Sequence, residues 1–427
     1  MRNEELGMKG ASAGIEYGLV GAKLGHSWSV PIHNQLGDYD YRLYERDEAA
    51  FTDLLKRRSF RGLNVTIPYK KLAYGLCDAL SDTAREVGCV NTLIVRPDGS
   101  LYGHNTDIGG FIAMARRAGV AIDGKKVAVL GSGGTSLTAR AACRRMGARE
   151  IVVVSRSGPV DYEALYRDHA DAQVIVNTTP VGMYPNNGES AADISRLPGL
   201  EGALDVIYNP DKTALVLDAE ARGIPAAGGL YMLVGQAREA AELFTGRAIP
   251  ESETERIYRL LRDEALNLIL IGMPGSGKSR IGRALSQRMG RPFVDLDGEI
   301  VRRAGRSIPE IFAQAGEAAF RALEHQVVCD VCREKGQIVA TGGGAVLRED
   351  NVRAMRQNGR LVLLTRSLDK LPMTGRPLSK SPEALREMWR AREPYYRAAA
   401  DGAIENDAAP DIVAARAEEV FHEAVDR

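Results

Sequence analysis

Short apolar runs recur along the chain, and between them apolar residues return every three or four positions. The runs "YGLVG" (17–21), "GLNVTIP" (62–68) and "GCVNTLIV" (88–95) predict strands. From Lys125 the pattern tightens: "KKVAVLGSGGTSLTARAACRRMGAREIVVVSRS" predicts strand, glycine turn, helix and strand. Ala139, Ala142, Cys143 and Met146 give that helix one apolar face. "AQVIVNTTPVGM" and "GALDVIYNP" predict later strands of the same sheet, and residues 231–246 an amphipathic helix. Ser252 with Glu255 reads as a capping box opening the next helix, whose stripe is Ile257, Leu260 and Leu261. That helix runs almost directly into a further buried strand at Leu268. The alternation predicts an α/β protein.

Composition narrows the picture by exclusion. Fifty-six basic residues balance 56 acidic ones, so neither nucleic acid nor a membrane surface is expected as a partner. No apolar run approaches the roughly 20 residues of a membrane span, and the N-terminus lacks the apolar stretch of a signal peptide. Five scattered cysteines fit a reducing compartment, and a cytoplasmic location is expected. Cys329 and Cys332 form a C-x-x-C, but in a stretch patterned as a helix and with no second pair nearby.

The most specific single motif is Gly272-Met273-Pro274-Gly275-Ser276-Gly277-Lys278-Ser279, which satisfies G-x-x-x-x-G-K-[ST]. Backbone N–H groups of such a loop wrap a β-phosphate, the lysine reaches the β/γ oxygens, and the serine ligates Mg²⁺. The earlier "GSGG" is a weaker signal for a nucleotide. Ser155 and Arg156 stand where an NAD site usually places an acid, and Arg156 suits a 2′-phosphate, which favours NADP.

Four stretches in the first hundred or so residues set small polar groups in apolar context: "GHSWSVPIHN", "GLNVTIPYKK", "GCVNTL" and "GHNTDIGG". Together they resemble shikimate dehydrogenase, over about residues 15–262. The resemblance implies a substrate domain (15–113, with returning helices 230–264) and a Rossmann NADP domain (114–229). It implies that Ser27 and Ser29 bind the substrate carboxylate, while Thr66, Lys70, Asn91 and Asp107 surround the ring hydroxyls and Tyr208 and Gln236 complete the pocket. Gly131, Gly133 and Gly134 would line the pyrophosphate, with Ser155 and Arg156 at the adenosine phosphate. Independently, hydride transfer to a ketone needs a proton donor beside the oxygen. Lys70 and Asp107 suit that task, with burial expected to bring the lysine toward working pH. Leu137 and Val160 replace basic residues usual in the family, which predicts looser NADP binding.

The remainder, residues 266–427, resembles shikimate kinase. "PFVDLDGEI" places Asp295 and Asp297 two apart, read as one face at the end of a strand. "GEAAFRALE" carries Arg321 and Glu324 one helical turn apart, and "IVATGGGAVL" ends a strand in three glycines. "MTGRPLS" reads as a mobile basic lid, and "WRAREPYYR" supplies Arg392. The resemblance implies that Asp297 holds the ring hydroxyls, that Arg321, Arg392, Gly343 and Gly344 clasp the carboxylate, and that Glu324 braces Arg321. It assigns Ser279 and Asp295 to Mg²⁺ and Arg376 to the transferring phosphate. The stretch before Arg376 is short for the family, which predicts weaker ATP binding. The expectation is one chain with two consecutive activities on small-molecule substrates, 3-dehydroshikimate and shikimate. The rival is one catalytic half joined to a binding module, the short-lid kinase half being the better candidate for the module.

Overall fold

The computed structural model of this 427-residue chain describes residues 15–25, 27–371 and 382–426. The tail 1–14, His26, and the lid with Arg376 lie outside them. The α/β expectation holds, with three sheets in chain order.

The first sheet contains β1 (Ile15–Gly21), β2 (Tyr41–Glu45), β3 (Phe60–Val65), β4 (Ala79–Leu80), β5 (Thr92–Val95) and β6 (Leu101–His104), ordered β2-β1-β3-β5-β6-β4. It is mixed: β1 runs parallel to β2 and β3, whereas β5 is antiparallel to β3 and β6. The second sheet, β7 (Lys126–Leu130), β8 (Glu150–Val154), β9 (Val174–Asn177), β10 (Gly202–Asp205) and β11 (Ala226–Ala227), is wholly parallel in the order β11-β10-β9-β7-β8. Its strand β7 is buried along its whole length, as expected of a parallel strand covered on both faces.

The third sheet is also parallel: β12 (Asn267–Ile271), β13 (Phe293–Asp295), β14 (Ile338–Ala340), β15 (Gly359–Thr365) and β16 (Gly402–Glu405), in the order β13-β14-β12-β15-β16. Strand alternation sorts its core onto two faces. Ile269, Ile271, Leu361 and Leu363 pack with Phe320 and Tyr396, while Leu268, Leu270, Val362 and Leu364 pack with Ile281 and Phe421. Thus β12 delivers the phosphate loop from the middle of the sheet.

By compactness the chain divides into two units. One contains the first two sheets, through Thr179, Ser195–Val206 and Pro225–Ile257; the other contains Pro180–Ile194, Ile207–Ile224 and Tyr258–Arg427.

Two local expectations are corrected. The helix Glu251–Ala265 begins before Ser252, so Ser252 lies inside its first turn and is no cap. Glu255 instead pairs with Arg117, Nε to Oε2 at 2.7 Å. Likewise, the strand after the phosphate loop stops at Asp295. Asp295 caps the helix Leu296–Ala304, accepting from the N–H groups of Asp297 and Gly298, so Asp297 stands on a helix. The capping interaction satisfies N–H groups that a helix start leaves free. The two carboxylates therefore do not share a strand face.

Candidate active sites

In the first unit, Lys70 opens the helix Lys70–Leu76 and Asp107 opens the helix Asp107–Arg117. The Lys70 Nζ donates to Asp107 Oδ2 at 2.7 Å. Asn91 fixes the other carboxylate oxygen, its Nδ2 donating to Asp107 Oδ1 at 2.9 Å. The same amide donates to Thr106 Oγ1 at 3.0 Å and reaches Gln236 Oε1 at 3.5 Å, on the helix Leu230–Thr245. Four of the expected substrate-side residues, Lys70, Asn91, Asp107 and Gln236, therefore form one hydrogen-bonded group.

The lysine departs from expectation in charge. Burial pulls it toward neutrality, but the Asp107 carboxylate, through its charge and its hydrogen bond, outweighs burial and leaves Lys70 above the ordinary lysine value. It is an ammonium poised to donate, which is the form a ketone reduction requires.

Ser27 and Ser29 face each other, with Oγ atoms 3.1 Å apart. Thr66 lies against Gly21, where a Cβ would meet its Cγ2 at 2.6 Å, so it stands at the root of the loop carrying the serines. Tyr208 follows β10 and is 38% exposed.

Strand β7 turns at Gly131, whose φ of 103° suits glycine, and a Cβ there would lie 2.8 Å from Thr178 Oγ1. Gly133 caps the helix Gly134–Arg145, and nothing within 4 Å would meet a Cβ on Gly133 or Gly134. The space in front of this helix start, with its free N–H groups, fits a pyrophosphate. Ser136 Oγ in the first turn is buried without a hydrogen-bond partner, as a group awaiting a ligand would be. Ser155 is buried at the end of β8, with Arg156 exposed beside it. These residues fit NADP.

In the second unit, the phosphate loop makes its turns at Gly272, Gly275 and Gly277, with φ of 139°, 80° and 102°. Lys278 heads the helix Lys278–Met289 and folds its Nζ back onto the carbonyls of Gly272 and Met273, at 2.8 and 2.9 Å. Ser279 donates from Oγ to Asp295 Oδ2. Among the described residues no three His, Cys, Asp or Glu side chains gather as a metal site. One hydroxyl and one carboxylate do suit Mg²⁺, which takes its remaining ligands from phosphate and water.

Around the glycine run, the side chains converge. A Cβ on Gly342 would lie 2.7 Å from Asp297 Oδ1 and 3.2 Å from Glu324 Oε1, and one on Gly344 would lie 2.7 Å from Arg321 Nη1. Arg321 Nη1 donates to Glu324 Oε2 at 2.8 Å, and Arg392 Nη1 donates to the Gly343 carbonyl at 3.3 Å. Burial, with Asp295 nearby, holds Asp297 above the ordinary aspartate value despite Lys278 and Arg321. Asp297, Arg321, Glu324 and Arg392 thus border one glycine-lined cleft, beside Pro274 of the phosphate loop, which a Cβ on Gly343 would strike at 2.5 Å.

Residues 19–93 match the family model of the shikimate dehydrogenase substrate binding domain, and residues 229–260 that of the shikimate 5'-dehydrogenase C-terminal domain. A shikimate dehydrogenase (NADP(+)) of Clostridium perfringens is 36% identical over 270 residues, 58% of this chain and 98% of that one. The chain belongs to the shikimate dehydrogenase family. Residues 274–427 match the shikimate kinase model, so this dehydrogenase also carries a kinase domain. A chorismate mutase/shikimate 5-dehydrogenase fusion from Clostridium acetobutylicum superposes with TM-score 0.55 and 35% identity, over 58% of this chain and 98% of that one. A shikimate 5-dehydrogenase from Thermus thermophilus, in complex with NADP(H) and shikimate, gives 0.52 and 29%, over 58% and 99%.

In this dehydrogenase–kinase chain the structure adds residues that sequence reasoning passed over. Tyr41 Oη donates to Asn64 Oδ1 at 2.7 Å, Asn64 Nδ2 to Thr92 Oγ1 at 3.1 Å, and Thr92 Oγ1 to Asn91 Oδ1 at 3.0 Å. This buried chain holds the amide that orients Asp107. Its signal lay in the repeated Asn-Thr pairs and the Asn-x-Thr of the quoted stretches. In the kinase cleft Tyr396, inside "WRAREPYYR", donates to the Gly343 carbonyl. Asn406 Nδ2 donates to the Ser276 carbonyl at 2.7 Å and braces the phosphate loop. Cys329 and Cys332 lie on one helix, Ile308–Arg333, unpaired. Among the described residues no helix is long and apolar enough to cross a membrane.

Proposed function

We propose that this chain reduces 3-dehydroshikimate to shikimate with NADPH and then phosphorylates shikimate to shikimate 3-phosphate with Mg-ATP. The observation that carries the reading is the coexistence of two polar constellations. Lys70–Asp107–Asn91 serves a ketone, and Asp297–Arg321–Glu324 beside a phosphate loop serves a hydroxy acid. NADPH supplies the hydride. Lys70, held charged by Asp107, donates the proton to the developing alkoxide, and Asn91 keeps the carboxylate aimed at the lysine. Ser27 and Ser29 hold the substrate carboxylate and Thr66 a ring hydroxyl. Arg156 grips the 2′-phosphate.

In the kinase domain, Asp297 accepts the proton of the attacking hydroxyl, and its desolvated carboxylate is well suited to do so. Arg321, braced by Glu324, binds the carboxylate through its planar fork, together with Arg392 and the Gly343–Gly344 backbone. Lys278 leaves its carbonyl partners for the phosphates, a position-and-neutralise role typical of phosphoryl transfer. The domain division we adopt is 15–113 with 230–264, then 114–229, then 266–427. Five free cysteines support a cytoplasmic setting.

A two-stage assay tests the reading. Purified chain receives 3-dehydroshikimate and NADPH, then Mg-ATP. NADPH loss followed by shikimate-dependent ADP release is expected. NADPH loss without ADP would reduce the kinase domain to a binding module.

A further inference from the structure

Residues 180–224 contain β10 and lead into β11 of the second sheet. Yet 180–194 and 207–224 belong to the compact unit that contains the third sheet. The contacts they make there are polar and specific, with one ion group buried among them. Asp211 places Oδ2 3.2 Å from Arg360 Nη2 and Oδ1 3.3 Å from Arg262 Nε. The side chains are 12%, 4% and 4% exposed, for Asp211, Arg360 and Arg262. Both guanidiniums also hold the chain's last helix, Arg360 Nε donating to the Ala424 carbonyl at 3.2 Å and Arg262 to that of Val425.

The backbone joins in. Lys212 N–H donates to the Gln357 carbonyl and Asp211 N–H to Asn358 Oδ1, each at 3.0 Å. Asn358 Nδ2 donates to Tyr184 Oη at 3.0 Å, and Gln357 Nε2 to the Asn187 carbonyl at 2.9 Å. Asp218 pairs with Arg353 at 2.7 Å. Every kinase-side partner here lies in the helix Glu349–Gln357 leading into β15, at or next to the start of β15, or in the helix leading into β12. Asn358 itself accepts from Asn267, the first residue of β12, at 2.8 Å. At their far ends these two strands meet the phosphate loop, where a Cβ on Gly272 would strike the Leu364 carbonyl.

We infer that residues 180–194 and 207–224, which lie within the dehydrogenase's nucleotide domain in sequence, also complete the kinase body, with Asp211 as the counter-charge its two buried arginines require. Removing the carboxylate leaves two desolvated cations side by side, the situation in which a buried ion group is most destabilising. The surface formed by Arg262, Arg353, Gln357, Asn358 and Arg360 fits one partner, this chain's own residues 180–194 and 207–224. A kinase domain cut at residue 266 would lose Arg262 and expose the rest. The activity readout below rests on the kinase reading, but the exchange readout does not.

The test uses full-length Asp211→Asn and the milder Arg353→Ala, with hydrogen–deuterium exchange and timed heat inactivation. For Asp211→Asn we expect at least tenfold faster amide exchange in β12, β15 and the helix Pro410–Asp426, and at least tenfold faster thermal loss of shikimate-dependent ADP release. Arg353→Ala should move both in the same direction by two- to threefold, and decides the matter if Asp211→Asn is insoluble. The triple replacement Asp211→Leu, Arg262→Met, Arg360→Met should recover most of the protection. Exchange changes confined to 207–224, with wild-type exchange in β12 and β15, would overturn the inference. Were the wild-type chain to lack kinase activity, exchange alone would still separate these outcomes.

Discussion

The Lys70 ammonium and the Asp107 carboxylate stand 2.7 Å apart, and the carboxylate keeps the lysine charged against the pull of burial. A group whose pKa is raised in the folded state stays protonated until the pH passes that raised value. Lys70 should therefore remain the donor throughout neutral pH, and any alkaline loss of ketone reduction due to it should fall above the ordinary lysine value of 10.5. Asp107→Asn removes the counter-charge, so burial then dominates. A pH–rate profile of this variant should show the alkaline limb moved to lower pH. Asp107→Asn and Lys70→Ala should each slow reduction about 10²–10⁴-fold, with ADP release by the kinase domain unchanged.

Glu239 lies on the helix Leu230–Thr245, with His104 Nδ1 3.8 Å from its Oε1. Burial raises its carboxyl to about 7, opposed by Arg238 and Arg145 and reinforced by Glu242 and Asp107. The folded state thus binds a proton that the unfolded chain releases near 4.5. The linked stabilisation is present below that value and is lost as pH rises through about 7. Glu239→Gln should flatten the fall in Tm across this window. Scanning calorimetry between pH 4 and 8 reads the slope directly, and an unchanged slope would place the fall elsewhere.

Arg321 is braced by Glu324, which is 2% exposed. Arg321→Lys keeps the charge but loses the planar fork, so it should raise the KM for shikimate roughly tenfold or more, about 1.4 kcal/mol of binding. Glu324→Gln should act in the same direction by freeing the guanidinium. Steady-state kinetics with ATP saturating separates this from a fall in kcat, which would assign Arg321 to the transferring phosphate instead.

How much of this is legible in the chain depends on the range of the cause. The alternation of strands and helices, and the phosphate loop after β12, follow from local pattern. So does the Arg321–Glu324 pair, because one helical turn brings such residues together. Local pattern puts Asp297 on a strand because no Gly or Pro marks the strand–helix junction; Asp295 ends the strand only by capping. Ser252 resembles a cap in sequence, yet its helix starts a turn's fraction earlier, at Glu251. The Lys70 charge depends on a carboxylate 37 residues away, and burial alone suggests the wrong direction. Asp211 sits in an unremarked "NPDKT", where an aspartate reads as a turn residue; only the fold supplies Arg262 and Arg360.

On the proposed function, the nucleotide preference of the dehydrogenase is set at the end of β8. Ser155 is buried, its N–H donating to the Val160 carbonyl at 3.0 Å, and a Cβ on Gly158 would meet its Oγ at 2.5 Å, so the turn is tightly closed behind it. Arg156 is exposed at the edge, with no acidic residue between it and Gly158 to neutralise it. A guanidinium there attracts a 2′-phosphate, and a carboxylate would instead accept from a ribose hydroxyl and repel the phosphate. Arg156→Ala should raise the KM for NADPH about tenfold with little effect on NADH, in keeping with one lost charge-assisted contact of roughly 1.5–3 kcal/mol. Arg156→Asp should go further and reverse the preference. The check is the ratio of kcat/KM for the two cofactors at fixed 3-dehydroshikimate. A ratio that does not move in either variant would locate the phosphate grip away from Arg156.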